Sequence, residues 1–166
     1  MGYTRKQVLT HHQKLQRMKP PFEGGCLCGD VRYRISELPF WSAKCFCRCC
    51  QMLGGGDAAT AFTVRHTGFE LLAGNTQPYE WIAESGRTVK RQRCKNCGTW
   101  VFSERPESDE WRSVLASTLD QPSDFVLISN VYVSEASSWA DIDTNLLNFQ
   151  KMPEDELPDM SDRRDR

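Results

Sequence analysis

Between residues 30 and 36 the chain reads DVRYRIS, with Val31, Tyr33 and Ile35 alternating against Asp30, Arg32 and Arg34. A two-residue period places the apolar side chains on one face and the charged ones on the other, which predicts a half-buried strand. The runs ATAFTV and FELLAG predict two more short strands, separated by RHTG. QPYEWIAESGRTVKRQRC reads as a hairpin that turns near Ser85-Gly86 and delivers Cys94 at its end. WVFSE, SVLASTL and DFVLISNVYV complete the strand-like runs. Helical pattern is sparse. Val8, Leu15 and Met18 can share one face of an N-terminal helix stopped by Pro20-Pro21, and CCQMLGG has room for about one turn. The tail KMPEDELPDMSDRRDR is charged and contains proline, and is expected to be disordered. The chain thus divides into an N-terminal extension over residues 1–21, helical on this pattern, a β domain over 22–150 and a charged tail over 151–166.

Composition narrows the function classes. The 166 residues are 39% hydrophobic and 26% charged, ordinary for one globular domain with a real core. The formal net charge of −1 gives no global field to draw in nucleic acid or an anionic membrane. A local basic stripe, RTVKRQRCK, is expected on the solvated side of the hairpin. No apolar run approaches the roughly 20 residues that cross a bilayer. The charged N-terminus lacks the apolar stretch of a signal peptide, and Lys6 stands where a myristoylation pattern needs Ser or Thr. The expected compartment is therefore the reducing cytoplasm, where paired disulfides are uncommon.

That matters because the chain has eight cysteines, in three clusters: Cys26 and Cys28; Cys45, Cys47, Cys49 and Cys50; Cys94 and Cys97. Thiols one or two residues apart rarely reach disulfide geometry with each other, but they can share one ion. CLCG and CKNCG both end in glycine, so Gly29 and Gly98 can supply the positive φ with which a loop curls around a metal. Zinc is the expected ion for thiolate-rich sets of this size. The two knuckles make a closed set of four, Cys26, Cys28, Cys94 and Cys97, able to clamp distant parts of the chain with a contribution on the order of 10 kcal/mol. In the middle cluster the adjacent Cys49 and Cys50 cannot easily aim both sulfurs at one ion. Cys45, Cys47 and Cys50 then form a set of three, with Cys49 outside it. A closed site built with Cys49, Asp57 or His66 as fourth ligand is the alternative.

GGCLCGDVRY, CFCRCC followed by GGG, CKNCGTWVF and SSWADID, in this order, resemble the glutathione-dependent formaldehyde-activating enzyme family, which includes the centromere protein V-like proteins. The resemblance runs from about Gly24 to about Phe149. It implies a mainly β, Mss4-like fold with short helical segments and two zinc ions per chain. By the family's pattern, Cys26, Cys28, Cys94 and Cys97 hold a structural zinc, and Cys45, Cys47 and Cys50 a catalytic zinc. The implied activity is carbon–sulfur lyase chemistry on a small thiol adduct of the S-hydroxymethylglutathione type. Two departures bear on the substrate. Phe46 stands where the family commonly has histidine, and Gln51 and Met52 stand where basic residues are frequent. Arg48 and Gln51 flank the three-cysteine set and are the expected substrate contacts. His11 and His12 are expected in solvent and His66 on the surface, while Trp100, Phe102, Trp111 and Trp139 are expected in the core. The competing functional class is a non-catalytic zinc-scaffolded module that binds a protein or nucleic acid.

Overall fold

In the computed structural model, which describes residues 3–84, 86–106 and 108–153, the alternating segment becomes strand β2 (Arg32–Ile35), with Val31, Tyr33 and Ile35 fully buried. It is the middle strand of a small antiparallel sheet, between β1 (Phe22–Gly25) and β5 (Phe69–Ala73). The buried face of this sheet packs on a larger one through aromatic rings. Phe69 lies 5.5 Å from Tyr33 and 4.7 Å from Phe102, which belongs to β8 (Trp100–Arg105). Phe62, Val64, Val101 and Val114 come from the larger sheet to fill the same core.

The larger sheet also contains β3 (Trp41–Cys45), β4 (Ala59–Arg65), β6 (Thr76–Ile82), β7 (Thr88–Cys94), β9 (Ser108–Leu115), β10 (Ser129–Val131) and β11 (Leu147–Asn148). Its order is β11-β10-β3-β4-β9-β8-β7-β6. The hairpin read from the sequence is β6 and β7, in register from Thr76↔Cys94 to Ile82↔Thr88. Of its expected turn, Ser85 lies outside the described residues and Gly86 has φ 77°. The expected mainly β architecture, with few and short helices, is the one observed.

Two strand-like runs are shorter than the pattern suggests. SVLASTL leaves the sheet after Leu115, where Ala116–Thr118 form a 3₁₀ turn and the Thr118 hydroxyl donates to the Leu115 carbonyl at 2.7 Å. DFVLISNVYV contributes only Ser129–Val131 to a ladder, since Tyr132 adopts φ 57°, ψ 38° and turns the chain into a 3₁₀ segment, Val133–Glu135. Helix α2 (Arg48–Gly54) ends within the GGG run, with Gly55 as its left-handed cap.

Helix α1 (Arg5–Lys14) starts with a capping box: the Gln7 N–H donates to Thr4 Oγ1 at 3.3 Å, and the Thr4 N–H donates to Gln7 Oε1 at 2.9 Å. Val8, Leu15 and Met18 are buried and join the main core. His12 corrects its expected place in solvent. It lies one turn beyond Val8 on the same face and is buried. Trp139 is a second correction: at 69% exposure it is a surface residue, whereas Trp100 and Phe102 are buried and Trp111 half-buried. Among the described residues no helix is long and apolar enough to cross a membrane. The tail beyond Pro153, read as disordered, lies outside the described residues.

Candidate metal centre

All eight cysteines are free thiols, and seven of them fall into two groups. Within each group the sulfurs lie within 4.8 Å of one another.

The first group is Cys26, Cys28, Cys94 and Cys97. Cys26 and Cys28 sit on the turn between β1 and β2, where the Gly29 N–H donates to the Cys26 carbonyl at 3.1 Å. Cys94 ends β7, and the Gly98 N–H donates to its carbonyl at 2.9 Å. Gly29 and Gly98 take φ of 82° and 75°, where a Cβ would be strained. The two loops meet edge to edge, with Cys26 Sγ 3.4 Å from Cys28 Sγ and Cys28 Sγ 3.7 Å from Cys94 Sγ. The Val31 N–H donates to Cys26 Sγ at 3.2 Å. The Thr99 hydroxyl lies 3.2 Å from Cys97 Sγ, and Thr99's hydroxyl and backbone N–H together hold the Cys97 thiol down to about 5.

The second group is Cys45, Cys47 and Cys50. Cys45 ends β3, which is held between β4 and β10 by the pairs Cys45↔Ala59 and Val131↔Cys45. Cys47 is the N-cap of α2, and Cys50 comes three residues later in the first turn, a spacing that brings two side chains onto one side of a helix. Cys49 is exposed, His66 is exposed, and Asp57 is paired with Lys44 Nζ at 2.9 Å. None of the three joins the group.

The electrostatics of the two groups differ. Hydrogen bonds from Cys45 and Cys47, then the charge and hydrogen bond of Arg91, bring the buried Cys50 down to about 3. Contact with Cys47 and Cys50, together with burial, pushes Cys45 well above the usual thiol range. Burial, then the charges of Cys45 and Cys47, push the Tyr132 phenol up, so this ring lies within electrostatic reach of the group. A soft, all-thiolate donor set in a partly buried pocket is chemistry that suits zinc in both groups.

Gln51 is buried, and its side chain is fully engaged. Nε2 donates to the Phe46 carbonyl at 2.6 Å and the Glu135 carbonyl at 2.9 Å, and Oε1 accepts from Arg48 Nη1 at 3.2 Å. It ties the cysteine loop to the 3₁₀ segment after β10. Arg48 is exposed, and its backbone N–H donates to Glu135 Oε2 at 2.9 Å. Glu135 also accepts from Lys151 Nζ at 2.9 Å, so the chain's last described segment buttresses the same loop. Phe46 is fully buried and packs under Lys44, whose Nζ lies 5.0 Å from the ring centroid.

Arg91 corrects the reading of the basic stripe. It is 3% exposed rather than solvated, with its guanidinium 3.6 Å from the Trp100 ring centroid and 4.5 Å from that of Trp81. Its Nη2 donates to Cys50 Sγ at 3.1 Å. Strict alternation fails here because β7 carries a register shift between Gln92 and Arg93, so Arg91 and Gln92 are both buried. The available sequence signal was the pair of tryptophans, Trp81 and Trp100, on the two strands flanking Arg91.

A sequence model of the glutathione-dependent formaldehyde-activating enzyme family matches residues 21–135. A Halomonas elongata protein, provisionally named as a glutathione-dependent formaldehyde-activating enzyme, is 28% identical over 130 residues, covering 74% of this chain and 81% of that one. A crystal structure of a Rhodobacter sphaeroides protein aligns at 24% identity with a TM-score of 0.48, over 59% of this chain and 87% of that one. The family match spans both cysteine groups and the strands that carry them, and the chain belongs to the glutathione-dependent formaldehyde-activating enzyme family.

Proposed function

We propose that the protein is a zinc-dependent carbon–sulfur lyase that makes or cleaves a small thiol adduct of the S-hydroxymethylglutathione type. The observation that carries this reading is the difference in donor number, four sulfurs in one group and three in the other. Four satisfy a tetrahedral ion, whereas three leave one position for a thiol from outside. In this reading Cys26, Cys28, Cys94 and Cys97 hold a structural zinc, and Cys45, Cys47 and Cys50 hold a catalytic one. A zinc ion there supplies Lewis acidity, keeping a thiol of ordinary pKa, about 8.5, in its nucleophilic thiolate form at neutral pH.

The chain's own residues prepare the encounter. Cys45 is fixed by a ladder on each side, and Cys47 and Cys50 by the first turn of α2, so the three sulfurs face one point. Gln51 and Glu135 hold the loop that carries them. Phe46 and the buried core beneath exclude water from one side. In the forward direction the thiol sulfur bonds to the carbonyl carbon, the thiol proton leaves to solvent, and the carbonyl oxygen takes up one proton. The reverse breaks the same carbon–sulfur bond and returns thiol and aldehyde. Orientation of sulfur against carbon is the main contribution expected of such a site. Arg48 is exposed beside the loop and is the residue proposed to contact the substrate, while Gln51 acts on the loop in this reading. Eight free thiols accord with a cytoplasmic setting.

The test is turnover. Purified protein is screened with S-hydroxymethylglutathione beside hydroxymethyl adducts of smaller thiols. The reading expects zinc-dependent formation or loss of at least one adduct, abolished by Cys47→Ser. Turnover of none of them by protein carrying two zinc ions favours the scaffold reading.

A further inference from the structure

A buried cation needs an anion close by, because an uncompensated charge in a low-dielectric interior is strongly unfavourable. Arg91 is such a cation. It is 3% exposed, and among the described residues its Nε and Nη1 find no hydrogen-bond partner. No carboxylate pairs with it among the described residues. What it does face is sulfur: Nη2 donates to Cys50 Sγ at 3.1 Å. Its flat group is held between Trp81 and Trp100, with centroid distances of 4.5 and 3.6 Å, in the cation–π arrangement that favours arginine over lysine. Trp100 belongs to the small buried cluster that also contains Cys50, with Cys45 and Cys47 packed against it. The cage and the sulfurs are therefore one packed unit.

We propose that Arg91 is a positioning residue of the three-cysteine centre, a caged counter-cation that fixes the Cys50 sulfur and offsets the centre's negative charge. This rests on the reading that the centre holds a zinc ion. Three thiolates and a divalent ion carry a net charge of −1, and an incoming thiolate makes it −2. A fixed guanidinium in contact with one sulfur makes that total one unit less negative, which favours the thiolate form of the ligands and the arrival of the fourth sulfur. The four-cysteine group has another arrangement, with sulfurs contacted by the Val31 N–H and the Thr99 hydroxyl, and so serves as an internal control.

The experiment compares wild type, Arg91→Met and Arg91→Lys as full chains loaded with Co2+. Chelator competition reads the affinity of each site, and the sulfur-to-cobalt charge-transfer band reads the electron density on the thiolates. Arg91→Met is expected to weaken the three-cysteine site by about 10- to 100-fold, the usual effect of removing a contact to a metal ligand, and to move its band to lower energy. The four-cysteine site is expected to be unchanged. Arg91→Lys, which keeps the charge but not the flat fork, is expected to recover part of both. A lower melting temperature with unchanged affinity and band in Arg91→Met makes Arg91 a structural residue only and overturns the proposal. If Arg91→Met does not fold, Arg91→Lys decides: an affinity and band identical to wild type overturn the proposal, and a smaller shift in the stated direction supports it. Wild type that binds a single ion per chain removes the underlying zinc reading instead, an outcome separable from the others.

Discussion

The two cysteine groups are built from the same donor atom and do opposite things with the chain. The four-cysteine group joins segments far apart in sequence, since Cys28 and Cys94 are 66 residues from each other, and it ties the small sheet to the end of the β6–β7 hairpin. The three-cysteine group lies within six residues, from Cys45 to Cys50, and joins nothing that β3 and α2 do not already hold. Its surroundings are specialised instead: a caged cation on one sulfur, a buried amide under the loop and a glutamate on the helix's first N–H. A ligand set that closes a long loop acts on stability, and one that closes a short loop is free to act on chemistry.

The sharpest way to break this comparison is a pair of substitutions. Cys97→Ser is expected to leave the chain unfolded, because a filled structural site can contribute on the order of 10 kcal/mol, comparable with the whole stability of a domain, about 5–15 kcal/mol. Cys47→Ser is expected to lose one of two metal ions and all turnover while keeping its far-ultraviolet circular dichroism and a cooperative melt. Equal destabilisation in the two variants contradicts the division of roles. A smaller effect sharpens it. Gln51→Leu leaves the Phe46 and Glu135 carbonyls without their donor and is expected to cost about 1–3 kcal/mol in a urea titration. Its metal loss should fall on the three-cysteine group alone.

The smallest effect lies beside the four-cysteine group. Arg32 Nη1 donates to Asp120 Oδ1 at 2.8 Å and Nη2 pairs with the other carboxylate oxygen, bracing β2 next to the knuckle. Both side chains are about one third to one half exposed (33% and 44%), so Asp120→Asn is expected to cost no more than about 1 kcal/mol at neutral pH. The hydrogen bond and charge of Arg32 hold the Asp120 carboxyl below its ordinary value. A group depressed in the folded state stabilises fully above its unfolded value and less as pH falls through its folded one. The difference between wild type and Asp120→Asn should therefore shrink in acid, which a melt series from neutral pH downward would read. A constant difference would assign the effect to packing.

Much of this was legible in the chain. The alternation of Val31, Tyr33 and Ile35 gave β2 its face, and the spacing of the cysteines separated seven sulfurs into the two groups that the fold brings together. Strands β1, β3 and β11 were not legible. Phe22–Gly25 contains two glycines, the middle of Trp41–Cys45 is small or polar (Ser42, Ala43 and Lys44), and Leu147–Asn148 is a strand only because β10 lies beside it. Arg91 was hidden for a physical reason. A charge within a basic stripe is ordinarily solvated, and only the bulge in β7 and the two tryptophans on neighbouring strands reverse that. Gln51 was noticed for its position beside the cysteines, but its partners, the Phe46 and Glu135 carbonyls, are set by tertiary contacts that no local pattern encodes.

The central claim is that the three-sulfur centre accepts a fourth sulfur from outside. It is tested most directly by titrating a small thiol, with glutathione beside it, into the fully Co2+-loaded protein while recording the sulfur-to-cobalt charge-transfer absorption. The account predicts a saturable increase that is absent from Cys47→Ser, as one centre gains a thiolate. A spectrum that stays constant to saturating thiol, in protein carrying two metal ions, would contradict it.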